Sequence, residues 1–95
     1  MPYLVRFTSY ALRLLKKTPA NLQSLLIKEL EVIKQAPYQA SQLSGKFSFL
    51  RSWYTYLNGV PYRIVYEVQE NGKEVLIHVL AKRADVYRLL ERLYK

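Results

Sequence analysis

Two arginine-centred stretches stand out for the chemistry their side chains could do: Tyr62-Arg63-Ile64-Val65-Tyr66-Glu67 and Lys82-Arg83-Ala84-Asp85-Val86-Tyr87. A guanidinium stays charged at any working pH and offers a planar fork of donors that suits phosphate. A tyrosine ring offers a face on which a nucleobase can stack, at about 1–3 kcal/mol per base. Tyr54 and Tyr56 precede the first stretch, and His78, the single histidine, has the side chain that titrates nearest neutrality. Composition closes off other chemistries. There is no cysteine, which removes thiolate nucleophiles, disulfides and thiolate metal sites. One histidine and seven acidic residues leave too few ligands for a metal cage, so no metal and no cofactor is expected.

Charge points the same way. Fifteen Lys and Arg against seven Asp and Glu give a net charge of +8 in 95 residues, which favours a polyanionic partner: nucleic acid, ribosome or an acidic protein. The length allows one domain, residues 1–95, and a hydrophobic content of 51% is enough for a single layered core. No apolar run reaches the ~18 residues of a membrane span, and Met-Pro-Tyr-Leu-Val-Arg lacks the form of a signal peptide. A cytoplasmic protein is expected.

The elements that must carry these residues follow from periodicity. Tyr3 to Phe7 reads as a short strand. Thr8 or Ser9 can cap a helix from Tyr10 in which Ala11, Leu14 and Leu15 share a face. Thr18-Pro19 reads as a restart, with Thr18 as N-cap and proline at the first helical position. Leu22, Leu25, Leu26, Leu30 and Ile33 then keep helical spacing until Ala36-Pro37 ends the run. Two Asn-Gly dipeptides, Asn58-Gly59 and Asn71-Gly72, divide three strands over Phe47–Leu57, Val60–Gln69 and Lys73–Ala81. From Arg83 to Tyr94 the spacing of Val86, Leu89, Leu90 and Leu93 is helical again, and the basic series Arg83, Arg88, Arg92 and Lys95 suits a solvated helix face. The order β-α-α-β-β-β-α predicts an α+β fold, its helices packed on one face of a small, mainly antiparallel four-stranded sheet.

Two-residue turns fix register. The first sets Tyr54 opposite Arg63 and Trp53 opposite Ile64. The second sets Val68 opposite Val75, Tyr66 opposite Ile77, Val65 opposite His78, Ile64 opposite Val79 and Arg63 opposite Leu80. One face then holds Trp53, Thr55, Ile64, Tyr66, Val68, Val75, Ile77 and Val79, and belongs under the helices. The other holds Ser52, Tyr54, Tyr56, Arg63, Val65, Glu67, Leu76, His78, Leu80 and Lys82. It should be open, because burying an unpaired guanidinium costs several kcal/mol. Cations interleaved with aromatics on an open sheet face are what single-stranded RNA requires. Each residue also has a plainer reading: Arg63 paired with Glu67, Tyr54 and Tyr56 covering Val65 and Leu80, His78 satisfied within the sheet.

The stretches Leu43-Ser44-Gly45, Leu50-Arg51-Ser52, Tyr62 to Glu67 and Lys82 to Tyr87, in that order and spacing, resemble the RelE/ParE toxin superfamily along nearly the whole chain. The resemblance implies a RelE-like microbial ribonuclease fold and a toxin of a type II toxin–antitoxin pair. RelE-like members cut messenger RNA in the ribosomal A site, by attack of a ribose 2′-hydroxyl on the adjacent phosphate that leaves a cyclic phosphate. By position, Arg63 matches the phosphate-stabilising arginine, Arg83 the arginine given the acid role, and Tyr87 the tyrosine that stacks on or orients the base. Arg51, Tyr54, Tyr56, Lys82 and Lys46 would line the RNA-binding surface. The best-known members carry lysines where this chain has Tyr54 and Tyr56. The general base is then open between Tyr54, which has Arg63 opposite it, and His78, with Lys46, Arg51 and Lys82 as further candidates. The implied partners are a small acidic RelB-like antitoxin, the ribosome and messenger RNA, with no membrane and no metal. The alternatives on the same fold are a ParE-like DNA gyrase inhibitor and a catalytically weak RNA-binding relative.

Overall fold

Thr8 turns the first strand, β1 (Leu4–Phe7), into the first helix, α1 (Ser9–Lys17), its Oγ1 accepting the Ala11 N–H at 3.0 Å. This computed structural model describes residues 3–94, so that Met1, Pro2 and Lys95 lie outside the described residues. The second helix, α2, spans Ala20–Gln35. Thr18 is not its N-cap. It closes α1 instead, its N–H donating to the Leu15 carbonyl and its hydroxyl to that of Leu14 at 2.9 Å. Pro19 takes the N-cap place, its carbonyl accepting from Leu22 and Gln23. Thr18 stands at extended dihedrals (φ -79°, ψ 139°), as a residue before proline does, and α1 ends there.

After α2 come a 3-10 turn at Pro37–Gln39, β2 (Ser41–Gln42), a 3-10 turn at Gly45–Phe47, and then β3 (Arg51–Leu57), β4 (Val60–Gln69) and β5 (Glu74–Lys82). A 3-10 turn at Arg83–Asp85 leads into the last helix, α3 (Val86–Leu93). The sheet has five strands in the order β1-β5-β4-β3-β2, with β1 parallel to β5 and the other pairs antiparallel. The fifth, β2, pairs only Ser41 with Ser52 and Gln42 with Arg51, too short for any periodicity to announce it. β3 begins at Arg51 rather than Phe47, because Phe47 is drawn into a core behind the sheet.

The β3–β4 hairpin has the predicted register throughout, with Tyr54 opposite Arg63 and Leu57 opposite Val60. Asn58 (φ 52°) and Gly59 (φ 81°) supply the two positive φ values of a type I′ turn. The β4–β5 turn differs. It spans Glu70–Lys73, closed by the Lys73 N–H donating to the Glu70 carbonyl, and its positive φ falls on Lys73 rather than on Asn71-Gly72. Val68 still opposes Val75 and Tyr66 opposes Ile77. His78 then bulges out of β5, so that Val65 opposes Val79, Ile64 opposes Leu80, Arg63 opposes Ala81 and Tyr62 opposes Lys82. A bulge inserts one residue and reverses the facing of all that follow. Val79 and Leu80 therefore exchange the sides that strict alternation gave them.

Both faces of the sheet are used as a result. Under α1 and α2, Ala11, Leu26, Leu30 and Ile33 pack on Ile64, Tyr66, Val75, Ile77 and Leu80. On the other face Val65 and Val79 form an apolar pair that α3 covers with Val86 and Leu90, helped by Leu43, Phe47 and Leu50. Fully burying an aliphatic side chain contributes about 1.5–3 kcal/mol, so this pair is reason enough for α3 to cross to that side. The expectation of helices on one face holds for α1 and α2 and fails for α3.

Candidate nucleic-acid interface

Arg63 stands on β4 between Tyr54 of β3 and Ala81 of β5, on the face that α3 covers only in part. Its guanidinium carbon lies 4.2 Å from the centroid of the Tyr54 ring and 5.7 Å from that of Tyr87. Tyr87 arrives from the first turn of α3 and is half exposed. Ala81 is too small to fill the space beside Arg63, which leaves room for the Tyr87 ring. The Nε of Arg63 is buried with no hydrogen-bond partner, and among the described residues Arg63 has no carboxylate within ion-pair distance.

The expected alternative partner, Glu67, is engaged elsewhere. Its Oε1 lies 3.2 Å from His78 Nε2, while His78 Nδ1 meets the Tyr94 hydroxyl at the end of α3. Burial, with the Glu67 charge nearby, pushes the Tyr94 hydroxyl above its ordinary range and keeps its proton on it. The Tyr94 hydroxyl and the Glu67 carboxylate thus occupy both ring nitrogens of His78. His78 is buried beside the Phe49 ring with both nitrogens occupied, so it is not placed to take a proton from a substrate.

The remaining candidates scatter. Tyr56 is exposed on the Arg63 face, two residues beyond Tyr54 and opposite Pro61. Arg83 is exposed just past the end of β5, roughly 7 Å along the chain from Ala81 at strand spacing. Lys82 pairs with Tyr62 and so turns to the other face, where it lines a groove of about 340 Å³ with Lys17 and Arg88. The bulge is the cause. Arg51 also lies on the other face, opposite Tyr66, with its Nη1 donating to the Ala40 carbonyl at 2.8 Å and its guanidinium 4.9 Å from the Tyr38 ring. It braces the loop after α2. Lys46 forms an exposed ion pair with Glu91 of α3 at 2.8 Å. The structure thus brings Arg63, Tyr54 and Tyr87 together, leaves Tyr56 on the same face and Arg83 just past the end of β5, and takes Arg51, Lys82 and His78 out of that group. Ala81 is the contributor that the sequence did not flag, because its place beside Arg63 depends on the bulge.

No family model matches. Toxin RelG of Mycobacterium tuberculosis is 30% identical over 94 residues, covering 93% of this chain and 99% of that protein. Among solved structures, the toxin–antitoxin complex RelBE2 of Mycobacterium tuberculosis superposes with a TM-score of 0.78 at 25% identity, covering 87% of this chain and 100% of that one. A mutant of the Escherichia coli toxin RelE in the free state gives a TM-score of 0.76 over 100% of both chains; at 24% identity it speaks for the fold.

Proposed function

The chain belongs to the RelE toxin family, and from that premise we propose that it is the toxin of a type II toxin–antitoxin pair, a metal-independent endoribonuclease that cuts messenger RNA on the ribosome in the cytoplasm. The observation that carries this reading is the Arg63 guanidinium, flanked by the Tyr54 and Tyr87 rings and paired with no carboxylate among the described residues. Such a group keeps its charge for an incoming phosphate.

In the proposed reaction a ribose 2′-oxygen attacks the adjacent phosphorus in line. The bond to the 5′-oxygen of the next nucleotide breaks, leaving a 2′,3′-cyclic phosphate and a free 5′-hydroxyl. Charge grows on the non-bridging oxygens as the phosphorane forms, and Arg63 stabilises it there. The attacking 2′-hydroxyl gives up its proton to solvent, and Arg83, just past the end of β5, serves the departing oxygen, which takes up a proton from solvent as it leaves. Tyr87 stacks on the base next to the scissile bond, and Tyr56 extends the aromatic surface along the β3–β4 hairpin. The partner proposed for the free protein is a small acidic antitoxin, which the net charge of +8 favours; two structural neighbours are themselves toxin–antitoxin complexes.

Expression of the chain in a permissive host, followed by mapping of RNA 5′ ends, tests the reading. Ribosome-dependent cuts with 5′-hydroxyl ends, lost in Arg63→Ala and Arg83→Ala, are expected. Intact RNA with altered plasmid supercoiling would move the chain to the gyrase-inhibitor class, and intact RNA with normal supercoiling to an RNA-binding relative.

A further inference from the structure

Arginines are usually held in orientation by hydrogen bonds that their own guanidinium nitrogens donate, most often to a carboxylate. Among the described residues Arg63 has no such anchor: its Nε is shut away from water without a partner, and Glu67, on the same strand and face, is tied to His78. The closest group that could hold it is the Tyr54 ring, 4.2 Å from the guanidinium carbon. The Tyr87 ring, at 5.7 Å, is near the outer limit of such contacts.

We propose that Tyr54 is a positioning residue, whose ring face rather than its hydroxyl holds the Arg63 guanidinium so that its outer edge is presented to the phosphate. The proposal rests on the reading of Arg63 as the phosphate-holding group. Two observations and one physical argument carry it. Tyr54 lies directly across from Arg63 in a hairpin whose register is fixed by a type I′ turn, so the ring is carried by a strand rather than by a loop. A carboxylate in that place would compete with the substrate for the charge, whereas an aromatic face attracts the cation and leaves its in-plane donors free. Tyr54 is 61% exposed, so it is not there to fill a core. A division of labour between the two rings follows: Tyr54 holds the arginine from the sheet, and Tyr87, more loosely in contact and on the helix, is free to meet the base.

Tyr54→Phe, Tyr54→Trp and Tyr54→Leu separate the ring from the hydroxyl. In the free protein, the Arg63 Nε–Hε group is followed by NMR for ring-current shift and picosecond–nanosecond mobility. With RNA substrate, kcat and KM are measured for the same proteins. Tyr54→Phe and Tyr54→Trp should keep Arg63 ordered and shifted, with kcat within about two-fold of wild type. Tyr54→Leu should lose the shift, free the side chain and lower kcat about ten-fold, with a smaller change in KM. A Phe variant as impaired as the Leu variant overturns the proposal and gives the role to the hydroxyl. A Leu variant with Arg63 still ordered and kcat unchanged overturns it as well. If the wild-type protein cuts no RNA, the nuclease reading falls while the NMR comparison still decides whether the ring holds the arginine.

Discussion

An arginine facing a carboxylate has its charge neutralised on the spot, while one facing aromatic rings keeps it for an anion that has yet to arrive. Arg63 is of the second kind because Glu67, four residues along β4 on the same face, is drawn to His78. Arg63→Ala is expected to lower RNA cleavage about 100- to 1,000-fold, the usual loss when one donor to a developing oxyanion is removed. Arg63→Lys should recover little of it, because a point charge lacks the planar fork. Primer extension on a single reporter message gives both rates, and an Arg63→Ala protein that is folded and fully active would remove Arg63 from the mechanism. For Tyr87 the ring is the working part. Tyr87→Ala should weaken binding of a short single-stranded RNA about ten-fold, from ~1–3 kcal/mol of stacking, and Tyr87→Phe should change it little. Equal losses in fluorescence anisotropy would transfer the role to the hydroxyl. At this scale the sequence reveals Tyr54 opposite Arg63, because a two-residue turn fixes the pairing. It does not reveal that Glu67 would choose His78, a choice made by side chains from β4, β5 and α3 together.

Among the elements, the bulge at His78 shapes the site most. It turns Val79 beside Val65, creates the apolar pair that α3 covers, sends Lys82 to the other face and sets Ala81 next to Arg63. The same residue then fastens the end of α3, through its contact with the Tyr94 hydroxyl. Tyr94→Phe removes the partner of a buried ring nitrogen and should destabilise the fold by about 1–3 kcal/mol. Urea unfolding measures it, and an unchanged midpoint would mean that α3 is held by Val86 and Leu90 alone. The strands around the bulge were legible as a hydrophobic pattern, yet the bulge itself was not. Ile77, His78, Val79 and Leu80 read equally well with or without an inserted residue, since both faces of this strand are apolar. The two-residue β2 gave no periodic signal either.

At the scale of the molecule, the end opposite α3's first turn is held by a polar knot. The Tyr3 and Tyr38 hydroxyls and the Lys73 ammonium all converge on Glu70 in the β4–β5 turn, joining the start of β1, the turn after α2 and the hairpin. Lys73 first, and then the two hydroxyls, hold the Glu70 carboxyl at about 2, below its ordinary 4.5. A folded value below the unfolded one means stabilisation that is complete above the unfolded value and disappears as pH falls from about 4.5 toward 2. The wild-type protein should therefore lose stability over that window more steeply than Glu70→Gln, as followed by circular dichroism in an acid titration. Parallel curves would show that Glu70 carries none of the acid sensitivity. Because the group is exposed, salt should shrink the difference.

The amino-acid order by itself determined the α+β element sequence, the β3–β4 register and the presence of Arg63, Tyr54 and Tyr56 on one sheet face. All of these rest on contacts between residues close along the chain, where turn chemistry and side-chain alternation suffice. Only the tertiary structure decided the inserted residue in β5, the side on which α3 docks, the diversion of Glu67 to His78 and the exclusion of Lys82 from the Arg63 face. Those outcomes depend on which apolar surfaces are left uncovered once the sheet has assembled, a balance struck between elements far apart in sequence and invisible within any one of them.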